Sequence, residues 1–544
     1  MENYRADVII VGAGLAGITA AYELLGQGKK VLLLDRDVRE EMGGLAKKSF
    51  GGMFFVNTPQ QRWSGIRDTP AQAWKDWQSV AEFEPQDHYP RQWAESYVYN
   101  CTDQVYDWIT KLGVTFFPAM HWVERGMFKP GNSVPRFHMV WGTGYALSNV
   151  MEGQLLNHPK APSLLTLKFE HKVEEVLTQN GKVTGVRGTK ENTKEPFEAT
   201  ADVTVIAAGG MGGNIERVKQ NWHKPWGTPP DVLLNGSHRY ADGTMHDAVE
   251  RVNGHITHVD KNWPYAAGVH HPRPKVKDHG LSLVPPKSAL WLDYTGTRIG
   301  PMPLVTAYDT RFLVEQICKQ EKKYSWQVMN LRIAHREFAI SGAESNEAIR
   351  DKKWIKFIST ILFGNRPLVK DMIDNCPDFV IANSIEELAE KMNELHGTND
   401  VDVRNLKESI TDYDANIDRG YRYMNDEQLR RIAHTRQYIG DKLRTCKFQK
   451  IYDKSAMPLI AIREFILSRK TLGGMQTDMN SRVLSKPDIS GQQHPIEGLY
   501  AVGEAAGFGG GGMHGIGSLE GTFLGGCVYT GRIAAHHIVG KKLV

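Results

Sequence analysis

Asp7-Val8-Ile9-Ile10-Val11-Gly12-Ala13-Gly14-Leu15-Ala16-Gly17 opens the most informative stretch of the chain, which runs on through ITAAYELLGQG to Lys30-Val31-Leu32-Leu33-Leu34-Asp35. The β-branched run before Gly12 predicts a central parallel strand, and the G-x-G-x-x-G predicts a tight turn into a helix. The three glycines serve the turn, the approach of backbone to a pyrophosphate, and the packing of helix on strand. Free N–H groups at the helix N-terminus would meet that pyrophosphate. Asp35, at the end of the next strand, would accept hydrogen bonds from ribose hydroxyls. A glycine string alone is weak and could be a β–α turn that binds nothing. Strand, helix and terminal acid together predict a dinucleotide site.

Composition sets the frame around that stretch. The 544 residues allow roughly three or four domains. At 41% hydrophobic and 24% charged residues, a large core is affordable and extended disorder is not expected. Sixty-six Lys and Arg against 62 Asp and Glu leave only +4 over the whole chain, so no nucleic-acid partner is expected. Five scattered cysteines without a C-x-x-C disfavour a disulfide scaffold and a zinc site; no metal is expected. Residues 8–25 are apolar enough to imitate a signal peptide or membrane span, but MENYRAD before them carries two acids, and Gly12, Ala13, Gly14 and Gly17 interrupt the run. The reading is a soluble, cytoplasmic protein without an integral membrane segment.

Two further strand-and-glycine signals identify the dinucleotide. Val203-Thr204-Val205-Ile206-Ala207-Ala208-Gly209-Gly210 lies mid-chain, and Pro495-Ile496-Glu497-Gly498-Leu499-Tyr500-Ala501-Val502-Gly503-Glu504 lies near the C-terminus. FAD is long enough to need elements from both ends of a chain on one sheet. NAD alone would leave Gly503-Glu504 unexplained, and the middle glycine run has Ile215 at its third glycine position. One FAD is predicted, with no separate NADPH site.

The strings VIIVGAGLAGITAAYEL, GGLAKKSFGGMF, VIAAGGMGGN, LGGMQTDMNSRVL and PIEGLYAVGEAAG occur in the order typical of one flavoprotein family. The chain resembles that family, which includes fumarate reductases, succinate dehydrogenases, L-aspartate oxidase and 3-ketosteroid Δ1-dehydrogenases. SFGGMFFVNTPQQRWSGIRD, GNSVPRFHMVWGTG and SWQVMNLRIAHREFAISGAESN are similar to a bacterial branch called FAD-binding dehydrogenases. The resemblance implies an α/β fold: a Rossmann-like FAD-binding domain, a parallel sheet with helices plus a small antiparallel sheet, interrupted by an α+β capping domain that shields hydride transfer from water. The implied borders are 1–261 for the first part of the FAD domain, 262–454 for the cap and 455–544 for the second part. Helical apolar spacing (Ile385, Leu388, Met392, Leu395; Leu406, Ile410, Tyr413, Ile417) predicts packed helices between Ser384 and Asp441.

Matched position by position, the resemblance puts Gly12, Ala13, Gly14, Ala16 and Gly17 at the pyrophosphate and Asp35 and Arg36 at the adenosine. Gly44, Ser49, Gly51 and Gly52 fall on the loop along the flavin, and Val173 on the adenine-side strand. Ala208, Gly209 and Asn214 make the middle turn, and Asp242 is a ribityl-side acid. Gly503 and Glu504, with Ser518 and Leu519, match the C-terminal loop and a helix aimed at the flavin O2 edge, whose dipole would favour negative charge there. Where some relatives attach FAD through His, this chain has Lys47 and Lys48, so noncovalent FAD is expected.

The likeness breaks at the catalytic groups. The fumarate reductase H-T-x-G-G histidine is Lys470 here, and the H-G-x-N-R-L arginine is Ser518. The tyrosine of the ketosteroid dehydrogenase P-x-Y string is replaced in Pro458-Leu459-Ile460. Ordinary fumarate reduction and the usual Δ1-dehydrogenation are therefore not expected. The candidates for catalysis are Arg136 and His138, then Lys470, Arg463 and His514. Histidine moves protons near neutral pH, and the cations can hold a carboxylate or carbonyl oxygen. Arg136 and His138 also have a structural reading, as a turn-fixing pair, and Lys470 and Arg463 as surface cations; the position of His514 beside the flavin-facing helix favours function. The expected function is FAD-dependent hydride transfer between flavin N5 and a CH–CH or C=C bond of an unidentified small molecule, with the electron acceptor or donor unknown. The alternatives are an oxidase using O2 and a non-catalytic flavin-binding redox sensor.

Overall fold

Six strands, β1 (Val8–Val11), β2 (Val31–Leu34), β3 (Leu165–Lys168), β4 (Val203–Ile206), β5 (Arg482–Leu484) and β6 (Pro495–Ala501), form one sheet in the order β5-β6-β4-β1-β2-β3. The first five spatial neighbours counted from β3 run parallel, and β5 is an antiparallel edge. Every residue of β1 and β2 is buried, as continuous Val/Ile/Leu runs require when a strand is covered on both faces. Each such side chain contributes about 1.5–3 kcal/mol on burial. Helix α1 (Leu15–Gly26) follows β1 and packs on the C-terminal helix Thr522–Ile538. The small sheet Glu2–Arg5, Pro196–Thr200, Lys182–Lys190, His171–Gln179 supplies Phe197, Val183 and Val186 to the same core.

The computed structural model describes all 544 residues, in two compact units. The first comprises Met1–His223, Ser237–Trp263 and Arg469–Val544 and holds the six-stranded sheet. The second comprises Lys224–Gly236 and Pro264–Ser468. Its sheet is centred on the long strand Leu459–Thr471, which pairs with Tyr324–Asn330, Leu233–Asn235 and Phe379–Ala382. Those pairings carry residues 455–468 into the second unit, whereas the sequence reading began the returning segment at 455. The helices predicted between Ser384 and Asp441 form as Ile385–His396, Val403–Asp418 and Glu427–Thr435, with Leu388, Met392, Leu406, Ile410 and Tyr413 buried. No helix is long and apolar enough to cross a membrane.

Candidate active site

The β1–α1 turn is built by steric necessity. Gly12 has φ +109°, and a Cβ there would lie 2.4 Å from the Ala207 carbonyl oxygen beyond β4. A Cβ on Gly17 would lie 2.0 Å from the Gly12 carbonyl oxygen. The N-cap of α1 is Gly14, which offers no side-chain cap, and the space a Cβ would take there is open. The first-turn amides therefore face an uncluttered cradle, the arrangement a pyrophosphate needs. Asp35 is fixed to this turn: Oδ2 accepts from the Ala13 N–H at 2.6 Å and Oδ1 from the Asp37 N–H at 2.7 Å. Burial pushes its carboxyl upward despite those bonds. Each oxygen keeps a lone pair for a ribose hydroxyl.

Arg36 extends the same end. Its guanidinium lies 4.3 Å from the Tyr240 ring centroid, pairs with Glu191, and donates to Asp242 Oδ2 at 2.6 Å. Asp242 Oδ1 accepts from the Thr244 N–H and Oγ1. Asp242, expected as a ribityl-side acid, sits beside Arg36, because the turn into helix Thr244–Arg251 brings it there. Val173 is buried in the small sheet's core. Asn214 caps helix Ile215–Gln220, accepting from the Arg217 N–H, two residues past the Gly212 turn that follows Ala208 and Gly209.

Chain segments from opposite ends meet at the cradle. A Cβ on Gly503 would lie 2.9 Å from the Ala16 Cβ, and β1 and β6, which lead into the two turns, belong to one sheet, as one shared dinucleotide demands. Glu504 follows; its Oε1 accepts from the Thr471 N–H at 2.9 Å and occupies the space over Gly210. The helix Gly44–Lys48 starts against the same turn, with the Gly43 N–H donating to Ala13 O at 2.9 Å. Ser49 caps that helix through Ala46 O, and Gly51 and Gly52 pack against Thr143–Gly144 and Phe137.

A cluster of aromatic and ionisable groups lies in the same unit, around the start of helix Thr522–Ile538. Lys470 Nζ lies 3.8 Å from the Phe523 ring centroid and 3.6 Å from Glu520 Oε2. Glu520 Oε1 accepts from Trp263 Nε1 at 2.6 Å. Burial pulls the Lys470 ammonium down to about 8, against the opposing pull of Glu520. His514 is fully buried, stacked on Trp77 with centroids 5.5 Å apart, and its Nε2 bonds Thr522 Oγ1 at 2.8 Å. Its Nδ1 has no partner, and burial drops the imidazole to about 3, so the ring is neutral. Ser518 Oγ bonds the same Thr522 hydroxyl at 2.9 Å, and Leu519 is buried beside it. The orphaned Nδ1, the open cradle and Asp35 fit FAD bound along this surface. Gly12 to Gly17 would hold its pyrophosphate, and Asp35 and Arg36 its adenosine. Glu520 and Trp263 escaped the sequence reading; the one signal was an acid directly after Ser518-Leu519.

Three of the catalytic candidates are engaged in bonds of their own. Arg136 is fully buried, with Nε and Nη2 on Asp68 at 2.8 and 2.7 Å and Nη1 on Asp76 at 2.6 Å. Four of its five N–H donors are consumed and none of it is exposed, so it holds the core rather than a substrate. His138 is also fully buried, its Nδ1 on the Arg136 carbonyl and Nε2 on Thr58 Oγ1, both at 2.8 Å. Neither ring nitrogen is left for proton transfer. Arg463 lies in the second unit and pairs with Asp378 at 2.9 Å. Its guanidinium also donates to Leu395 O at 2.9 Å. His270 and His271 are paired too, with Asp378 and Glu344.

This is the architecture of a dinucleotide-dependent oxidoreductase with the flavin form of the fingerprint. The chain belongs to the FAD binding domain family, which it matches over residues 7–524, and is an FAD-dependent oxidoreductase. It is 40% identical to a KsdD-like steroid dehydrogenase of Mycobacterium tuberculosis (strain H37Rv) over 554 aligned positions, covering 98% of this chain and 95% of that protein. Among solved structures, a 3-ketosteroid delta1-dehydrogenase from Sterolibacterium denitrificans aligns with a TM-score of 0.69 at 15% identity, covering 98% and 99% of the two chains. A flavocytochrome c3 fumarate reductase aligns with a TM-score of 0.68 at 19% identity, covering 99% and 79%. Those two likenesses are of fold.

Proposed function

We propose that the protein removes two hydrogens from a CH–CH bond next to a carbonyl in a steroid-like, largely apolar molecule, with Lys470 handling the proton. The observation that carries this is the partly buried Lys470–Glu520 pair against Phe523, whose ammonium is pulled down to about 8. The 40% identity to a named steroid dehydrogenase over nearly the whole chain supports the substrate class. FAD, when bound, supplies the two-electron acceptor, and the accompanying proton is left to the protein. Lys470 Nζ, as the free amine, accepts that proton, and Glu520 stabilises the ammonium formed. Trp263 holds Glu520 in place through its indole N–H. Phe523, itself buried, covers one side of the amine. Lys470 thus does the work for which the replaced P-x-Y tyrosine is not available.

FAD is held noncovalently in this reading. Lys47 and Lys48 stand where some relatives attach FAD through His, and both are engaged, Lys47 with Glu40 O and Lys48 with Glu41. Five unbridged cysteines support the cytoplasmic assignment. Acid precipitation should leave the yellow colour in the supernatant. Anaerobic mixing with a panel of 3-ketosteroids should bleach the flavin, with a rate that rises through pH 8. Lys470→Met should slow that bleaching by about 10²-fold or more and abolish the inflection. An unchanged pH profile in the variant rules Lys470 out as the base.

A further inference from the structure

The second unit carries a helix, Trp354–Phe363, with the sequence WIKFISTILF and no buried residue. Seven of its ten residues are aliphatic or aromatic. At 100° per residue, Trp354, Ile355, Ile358 and Leu362 fall on one arc, while Lys356, Ser359 and Thr360 fall opposite or beside it. The apolar arc is turned outward together with Lys356 and Ser359: Ile355 is 87% exposed, Phe363 69%, Leu362 54% and Ile358 50%. A helix on a water-facing surface ordinarily shows the reverse pattern.

The charges around it are as uneven. Between Glu347 and Arg366 stand five cations, Arg350, Lys352, Lys353, Lys356 and Arg366, against two carboxylates, Glu347 and Asp351. That net +3 compares with +4 for all 544 residues, so the excess of positive charge is concentrated on this segment. The two acids stay local, Glu347 pairing with Lys356 and Asp351 with Arg350 and Lys353. A second copy seated on this face through a twofold axis would bring +3 against +3. A surface that is apolar below and anionic above fits both features at once.

We infer that Trp354–Phe363 is an interfacial anchor that seats the protein on the surface of an anionic lipid bilayer. The ten residues make a rod of about 15 Å, half the hydrocarbon thickness, so the helix lies in the interface and does not span it. Ile355, Ile358, Leu362 and Phe363 enter the acyl boundary, Trp354 sits at headgroup level, and Lys352, Lys353 and Lys356 meet lipid phosphates. This inference is independent of the chemistry proposed for Lys470.

The test is flotation of the full-length FAD-loaded protein with vesicles of phosphatidylcholine and phosphatidylglycerol in equal parts, or of phosphatidylcholine alone. Binding to the anionic vesicles that weakens with added salt is expected, and little to the neutral ones. The double variant Ile355→Glu with Leu362→Glu, and the triple reversal of Lys352, Lys353 and Lys356 to Glu, should each lower the vesicle partition coefficient at least tenfold while flavin content stays unchanged. Failure of the wild-type protein to float overturns the inference, as does binding that neither variant weakens. A light-scattering dimer that Ile355→Glu dissolves overturns it too, by assigning the face to a second copy.

Discussion

Replacing Arg136 by Met leaves Asp68 and Asp76 sealed in the core without their counter-charge. Both carboxylates are buried, and four hydrogen bonds of 2.6–3.1 Å, including one to Asn132 Oδ1, disappear with the guanidinium. Burial alone would lower the Arg136 pKa; the ion pairs overcome this and raise it, so the charge is held firmly in the folded state. Breaking such a buried set by removing one partner costs about 3–5 kcal/mol. For a large domain, at roughly 2 °C per kcal/mol, that is a fall on the order of 6–10 °C in the unfolding midpoint. The assay is thermal release of flavin fluorescence from the holoprotein, alongside steady-state turnover well below the transition. Adding Asp68→Asn and Asp76→Asn to Arg136→Met should recover most of the lost stability, because no buried charge then stands alone. Turnover at low temperature should persist in the single variant. A midpoint equal to wild type, or loss of turnover with the fold intact, would refute the structural assignment.

Gly17→Ala should give a colourless or unfolded protein, since its Cβ would meet the Gly12 carbonyl oxygen at 2.0 Å; full flavin occupancy by absorbance would contradict the packing argument. Acid stability is governed by buried neutral histidines. Burial lowers His138 to about 4, His246 to about 4 and His514 to about 3. Between pH 6.5 and 4 the unfolded chain takes up these protons and the folded chain does not, so stability falls as pH falls through that window. His138 alone contributes on the order of 3 kcal/mol to that loss. Denaturant unfolding across this range should show a shallower pH dependence in His138→Asn; an unchanged slope would mean the ring is protonated in the folded state.

Much of the cofactor surface is legible in the sequence because its constraints are local. Gly12, Gly14 and Gly17 are set by contacts within one turn, and the acid that completes them stands at the end of the next strand. Gly503 was legible for a related reason: only a second glycine turn on the same sheet explains a cofactor as long as FAD. The catalytic candidates were less so. Pro-Arg-Phe-His cannot disclose that Asp68 and Asp76, some 60 residues away, consume the guanidinium, or that Thr58 takes the imidazole. Arg463 looks like a candidate until its pairing with Asp378, 85 residues away in the chain, is seen. Glu520 acquires meaning only through Lys470 and Trp263, which are remote in the chain. Trp354–Phe363 reads as ordinary core, because an apolar run is the same string whether covered or bare.

The placement of β6 between β4 and β5 has a consequence for how the chain is made. Thr204–Ile206 of β4 pair with Leu499–Ala501, nearly three hundred residues later. A nascent polypeptide must therefore hold an unsatisfied strand edge through synthesis of the entire second unit, which invites mispairing until the last tenth of the message is read. Fragments that stop short of β6 should be captured by chaperones or precipitate, and flavin availability during translation should govern the yield of usable enzyme.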